Sequence, residues 1–206
     1  MSLLLIKPIE GNSILGIWEM DEELEQIAHH YSLPEFKSNT ASVISLKRKK
    51  ELVASRLLLD AMFPGSEINY HPNGKPYLNN DCYISIAHSK DRVCILLNPD
   101  RPVGIDVEFI TPKIKQVKEK FMSDEELSAI DIANEIEVLL IHWCAKEAMY
   151  KYLGRERVIF KTELRVHPFQ FEPKGKIYCS AVSDSIEKMM LYYEADSNYM
   201  MAYTID

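Results

Sequence analysis

The sequence predicts an α+β protein of two similar lobes related by a pseudo-twofold axis, with an active site in the cleft between them. Three observations carry this. Both halves of the 206-residue chain read as a strand, then helices, then antiparallel strands. Asn98-Pro99-Asp100-Arg101-Pro102 interrupts the pattern near mid-chain, where two prolines and turn-forming residues make a linker. The candidate chemistry is spread over both halves, as expected of a site at a lobe boundary. The expected lobes are residues 1–99 and 100–206.

The elements follow in order. Leu3 to Glu19 reads as one or two strands around the turn at Gly11-Asn12. Asp21 is a suitable N-cap for a helix to about Tyr31, and Pro34 breaks it. A longer helix runs from about Ser42 to Met62 and is stopped by Pro64-Gly65. Short strands follow at Ile68–Tyr70, Pro76–Leu78, Cys82–Ala87 and Arg92–Leu97, with turns at Asn73-Gly74 and Asn79-Asn80-Asp81. The second half opens with a strand at Val103–Phe109. Helices are expected at about Ile114–Phe121, Asp124–Ile130 and Ile136–Leu153. Strands are then expected near Glu163–Val166, Lys176–Ala181, Met189–Glu194 and Tyr199–Thr204.

Composition narrows the function classes. A hydrophobic content of 47% with 27% charged residues is that of a globular protein with a real core. The formal charge of -7 argues against nucleic acid or an anionic membrane as the main partner. No apolar run approaches transmembrane length, and the opening Met1-Ser2-Leu3-Leu4-Leu5-Ile6 is too short for a signal-peptide core. Cys82, Cys94, Cys144 and Cys179 are scattered without a CxxC pair. Free thiols in a reducing cytoplasm are expected, with no disulfide or zinc scaffold.

Two segments carry most of the chemical signal. In Gly104-Ile105-Asp106-Val107-Glu108 the two carboxylates sit at i and i+2, so on a strand they share a face, while Ile105 and Val107 face a core. Gly104 permits close backbone approach. Adjacent negative charges need a counter-ion, and oxygen-rich Mg2+ fits. In Trp143-Cys144-Ala145-Lys146-Glu147-Ala148-Met149-Tyr150-Lys151, Trp143, Glu147 and Lys151 form one helical stripe. Three further segments present cations. The helix from Ser45 concentrates positive charge, and Arg56 is embedded there among leucines. Gly74-Lys75-Pro76 presents a lysine at a turn. His88-Ser89 closes the strand Ile84-Ser85-Ile86-Ala87. A carboxylate site beside several phosphate-seeking donors suits chemistry on a phosphoanhydride, and neither a Walker A loop nor GxGxxG is present.

In this order the motifs resemble the 4'-phosphopantetheinyl transferase superfamily, in its two-lobed surfactin-synthetase-activating type. The resemblance rests on Ala54-Ser55-Arg56, Gly74-Lys75-Pro76, Ala87-His88-Ser89, Gly104 to Glu108, Phe121 to Glu125 (read as F-x-x-x-E) and Trp143 to Lys151. It covers about residues 48 to 151. One departure is Ala87, where the family has a serine.

The resemblance implies an enzyme that moves the phosphopantetheine arm of coenzyme A onto a serine of an apo acyl, polyketide or peptidyl carrier protein, releasing 3',5'-ADP. Carried over by position, Asp106, Glu108 and Glu147 would hold Mg2+, with Mn2+ an alternative. Glu147, or failing it Glu108, would be the base. Lys151 would assist the leaving phosphate and Lys146 would add a phosphate contact. Arg56, Lys75, His88 and Ser89, with Arg48, would bind the 3'-phosphate and adenosine end. A monomer with an internal pseudo-dimer is implied. The lysines at 113, 115, 118 and 120 are a candidate surface for an acidic carrier. The main alternative is a non-catalytic relative that binds coenzyme A or a carrier protein. An unrelated Mg2+-dependent phosphohydrolase and an interaction protein with accidental motif matches are the others.

Overall fold

The computed structural model describes residues 2–21, 45–155, 157–182 and 186–205. The helix expected from Asp21 to Tyr31 and the Pro34 break fall almost wholly outside these residues. The first sheet is four-stranded and antiparallel, and a helix backs it. Its strands are β1 (Ser2–Ile9), β2 (Ser13–Glu19), β5 (Tyr83–Ser89) and β6 (Arg92–Asn98), in the order β1-β2-β6-β5. The helix α1 spans Leu46–Met62, and the hairpin β3 (Ile68–Tyr70) with β4 (Pro76–Leu78) lies between it and β5. The helix begins at Ser45, whose hydroxyl accepts from Arg48 N–H.

The second sheet has the order β7-β11-β10-β9-β8, also antiparallel. These strands are β7 (Ile105–Phe109), β8 (Leu164–Val166), β9 (Lys174–Val182), β10 (Ile186–Ala195) and β11 (Tyr199–Thr204). Between β7 and β8 lie a 3-10 turn at Pro112–Gln116 and the short helices α2 (Lys118–Phe121) and α3 (Asp124–Ser128). A second 3-10 turn (Ile132–Asn134), the long helix α4 (Glu135–Leu153) and the single-turn α5 (Phe160–Glu163) complete the segment. The helix expected from Ile114 to Phe121 is thus split at Val117, whose φ of -120° leaves the helical region.

Side-chain alternation stacks these parts. β6 is buried on both faces: Val93, Ile95 and Leu97 pack with Val53, Leu57 and Leu58 of α1, while Cys94 and Leu96 pack with Ile105, Val107 and Tyr203. β11 is likewise buried on both faces. Tyr199, Met201 and Tyr203 meet the first sheet, and Met200 and Ala202 meet Cys144 and Ala148 of α4. The layers therefore run α1, first sheet, second sheet, α4. Two strands covered on both sides account for their near-continuous apolar runs. Among the described residues no helix is long and apolar enough to cross a membrane.

Where the sheets meet, β5 lies alongside β7, and side-chain hydroxyls join them. Ser85 Oγ accepts from Ile105 N–H at 3.1 Å, and Ser89 Oγ accepts from Phe109 N–H at 3.0 Å. A second joint lies at the strand ends. Arg92 pairs with Asp196 and stacks over Tyr199, its guanidinium carbon 3.8 Å from the ring centroid.

Candidate active site

β7 and α4 bring the two signal segments together. Ile105 and Val107 point into the inter-sheet core, so Asp106 and Glu108 point toward α4. Gly104 is what lets the strand come this close. A Cβ there would overlap the carbonyl oxygen of Ala148 and stand only 2.8 Å from its carbon and 3.0 Å from Tyr152 N. Lys151, on the last turn of α4, donates from Nζ to Asp106 Oδ1 at 2.8 Å and to the Ile105 carbonyl at 2.9 Å. Gly154, left-handed at φ 60°, then ends the helix.

The carboxylates crowd one another. Burial raises the Asp106 pKa against the pull of Lys151, and among the described residues Asp106 Oδ2 is buried without a hydrogen-bond partner. Burial and then the charges of Asp106 and Glu108 push Glu147 up to about 7, against Lys151. Burial also raises Glu108, with Asp106 adding to it, although Ser89 and Trp143 stabilise its charged form. Burial alone would lower Lys151, but Asp106 and Glu147 outweigh it and hold the ammonium above its ordinary range.

Beside this cluster opens a cavity of about 490 Å³ between α1, the β3–β4 hairpin, β5 and the end of α4. Arg48 lines it from α1, Lys75 from the turn before β4, His88 from β5 and Lys151 from α4. Tyr70, Asn73, Tyr150 and Arg155 also line it, and the sequence reading named none of these as site residues. Arg48, Lys75, Lys151 and Arg155 put four cationic side chains around a half-open cavity, which suits a multiply charged phosphate ligand. His88 is held below its ordinary pKa by burial, with Arg48 and Lys151 adding to the effect and Glu51 opposing it.

The structure places four of the expected features differently. Lys146 does not reach the cleft. Its Nζ is fully buried and donates to the Phe121 carbonyl (2.7 Å), Glu126 Oε2 (2.7 Å) and the Phe160 carbonyl (3.1 Å). Three acceptors saturate an ammonium, so Lys146 is a scaffold residue and not a phosphate contact. Its partner is Glu126, which also closes a capping box with Ser123, while Glu125 is exposed and pairs with Arg165. The structurally engaged glutamate after Phe121 is thus residue 126, one position beyond the motif reading.

Ser89 spends its proton on Glu108, donating to Oε2 at 2.8 Å, so it orients a carboxylate instead of presenting a donor to the cleft. Trp143 Nε1–H holds the other oxygen, Oε1, at 3.1 Å. The Asp106, Glu108 and Glu147 set is therefore not a preformed cage, and no three such side chains among the described residues are arranged to enclose a metal ion. Arg56 lines an adjoining groove that shares Arg48, Tyr70 and Gly74 with the main cavity, and donates to the Leu52 carbonyl at 3.1 Å. Of the four lysines proposed for carrier docking, Lys115 and Lys118 are both tied to Glu135.

The fold and site define an α+β protein of two main antiparallel sheets with a cation-lined cleft beside a carboxylate cluster. A family profile described as the 4'-phosphopantetheinyl transferase superfamily matches residues 102–204. The chain belongs to that superfamily. Among curated proteins it is similar to the 4'-phosphopantetheinyl transferase AcpT of Escherichia coli O157:H7, at 27% identity over 115 residues, covering 52% of this chain and 59% of that one. It is similar to the 4'-phosphopantetheinyl transferase gsp of Aneurinibacillus migulanus at 29% identity, covering 51% and 46%. With psf-1 of Bacillus pumilus, also named a 4'-phosphopantetheinyl transferase, identity is 34% over 40% of this chain and 37% of the other. The matches therefore span between about a third and three fifths of those relatives' own lengths.

Proposed function

We propose that this protein transfers the 4'-phosphopantetheine arm of coenzyme A to a serine of an apo carrier protein, releasing 3',5'-ADP. The observation that supports it most is the adjacency of the cation-lined cavity to Asp106, Glu147 and Lys151, in a chain of this superfamily. On this reading Arg48, Lys75 and His88 grip the phosphates of the coenzyme and orient its pyrophosphate toward Lys151. Glu147, raised to about 7, takes the proton of the carrier serine as its oxygen attacks the β-phosphorus. The bond from that phosphorus to the oxygen bridging to the α-phosphate breaks, and Lys151 neutralises the departing phosphate oxygen. Burial and the charge of Asp106 keep Glu147 in its raised range, and Glu108, fixed by Ser89 and Trp143, adds to them.

The residues fit a divalent cation in charge and donor chemistry. Asp106, Glu108 and Glu147 are oxygen donors that feel one another's charge, and among the described residues the buried Oδ2 of Asp106 has no partner. These three residues would hold Mg2+ or Mn2+. A bound cation there supplies charge stabilisation for the phosphoryl oxygens. Two lobes of a single cytoplasmic chain, related by pseudo-twofold symmetry, would thus supply one site.

The test is the intact mass of an apo carrier protein incubated with this protein, coenzyme A and Mg2+, with an EDTA control. A metal-dependent gain of one phosphopantetheine arm is expected. Tight coenzyme A binding with no gain on several diverse carriers would identify a non-catalytic binder, and absence of both would end the reading.

A further inference from the structure

Behind the Arg48 and His88 wall of the cleft lies a buried carboxylate, Glu51. It lies one turn along α1 from Arg48, and its side chain is 6% exposed. Oε2 accepts from Arg48 Nη1 at 3.0 Å. Oε1 stands 3.4 Å from His88 Nδ1 and 3.9 Å from Lys47 Nζ. Arg48 Nη1 also approaches His88 Nε2 at 2.7 Å. The three side chains close a triangle that ties α1 to β5 at the wall of the cavity.

The triangle fixes a tautomer. A guanidinium carries donors only, so His88 Nε2 is the acceptor and the ring proton sits on Nδ1, facing Glu51. A negative charge at the wall of an anion site weakens binding through repulsion unless it improves the geometry of the binding groups. An ordinary i,i+3 pair on α1 would not explain its reach to a second element. The contact to His88 does.

We propose that Glu51 is a positioning residue of the cleft, which holds the Arg48 fork and the His88 ring in one orientation and one tautomer before a phosphate group arrives. The ordering is then complete before binding, and the ligand does not bear its cost. The inference rests on the coenzyme reading of the cleft for its consequence, but not for its geometry.

Two measurements test it. Long-range 1H–15N NMR of the His88 ring in ligand-free protein should show Nδ1 protonated and Nε2 bare. In Glu51→Ala the single tautomer should give way to a mixture. The dissociation constant for coenzyme A should rise about tenfold, with kcat at saturating coenzyme changed less than twofold. Glu51→Gln keeps an oxygen acceptor and should restore the tautomer and most of the affinity. Glu51→Met, of similar length without a strong acceptor, should repeat the alanine result if that cavity unfolds α1. An unchanged tautomer and unchanged affinity in a folded alanine or methionine variant would overturn the proposal. If wild-type protein binds no coenzyme A, the coenzyme reading fails, and the ring spectra still decide the role of Glu51.

Discussion

Lys151 and Asp106 lie 2.8 Å apart, joining the last turn of α4 to the acidic strand β7, and the same ammonium also binds the strand's backbone at Ile105. Lys151 thus holds the cluster together and, among the described residues, is the cation in direct contact with it. Lys151→Ala is expected to lower kcat by at least about a hundredfold, with a smaller effect on the KM for coenzyme A. Steady-state kinetics on a carrier protein checks this. A kcat within twofold of wild type would remove Lys151 from the chemistry.

Glu147 gives a prediction in pH. Its folded-state pKa of about 7 lies above the ordinary carboxylate value of 4.5. Between those values the folded protein binds more protons than the unfolded chain, so this group makes stability fall as pH rises from about 4.5 to 7. Ionisation costs on the order of 2–3 kcal/mol. In metal-free protein at pH 8, Glu147→Gln should therefore melt several degrees higher than wild type, with the difference vanishing near pH 5. The same variant should lose transfer activity. Thermal melts with EDTA across this range test the sign.

Lys146 should behave oppositely to a ligand-binding lysine. Its removal leaves Glu126 buried with its two backbone donors, Ser123 and Val166, but no counter-charge. Lys146→Met is expected to cost about 3 kcal/mol, read from the denaturant midpoint, while the affinity of the folded protein for coenzyme A stays unchanged. Adding Glu126→Gln should recover part of the loss, since an amide needs no counter-charge.

Gly104→Ala should be severe although it alters no functional group. The added methyl meets backbone atoms of α4, which cannot swing aside as a side chain can. A loss of about 3 kcal/mol is expected, together with lower activity in whatever remains folded, because β7 must move off the helix that carries Glu147 and Lys151. Chemical denaturation and residual activity report the two effects separately.

The acidic strand and the α4 stripe were legible because period 2 and period 3.6 are geometric facts: Asp106 with Glu108, and Trp143 with Glu147 and Lys151, do share faces. The phosphate contact expected of Lys146 came from the family resemblance by position, and the structure instead places its ammonium on Glu126 and two carbonyls. Successive helical residues point about 100° apart, which turns Lys146 away from Glu147 and into the core. Its partner had a signal, since Ser123-x-x-Glu126 is a capping box in the sequence. Glu51 was hidden among lysines that resemble a solvated face. The bond from Ser89 to Glu108 left no trace, since no local rule specifies which of its neighbours a hydroxyl will serve.

The hydroxyl bridges between β5 and β7 join residues 20 positions apart, whereas the Gly104 to Thr204 bond spans 100. Closing the shorter loop costs about 1.4 kcal/mol less entropy than closing the longer one. This part of the cleft wall thus belongs to the low-contact-order part of the fold, where Ser89 can be set beside Glu108 before β11 enters its sheet. A chain emerging from the ribosome makes β5 and β7 in quick succession, so the lobe junction can assemble while the C-terminal strands are still to be synthesised.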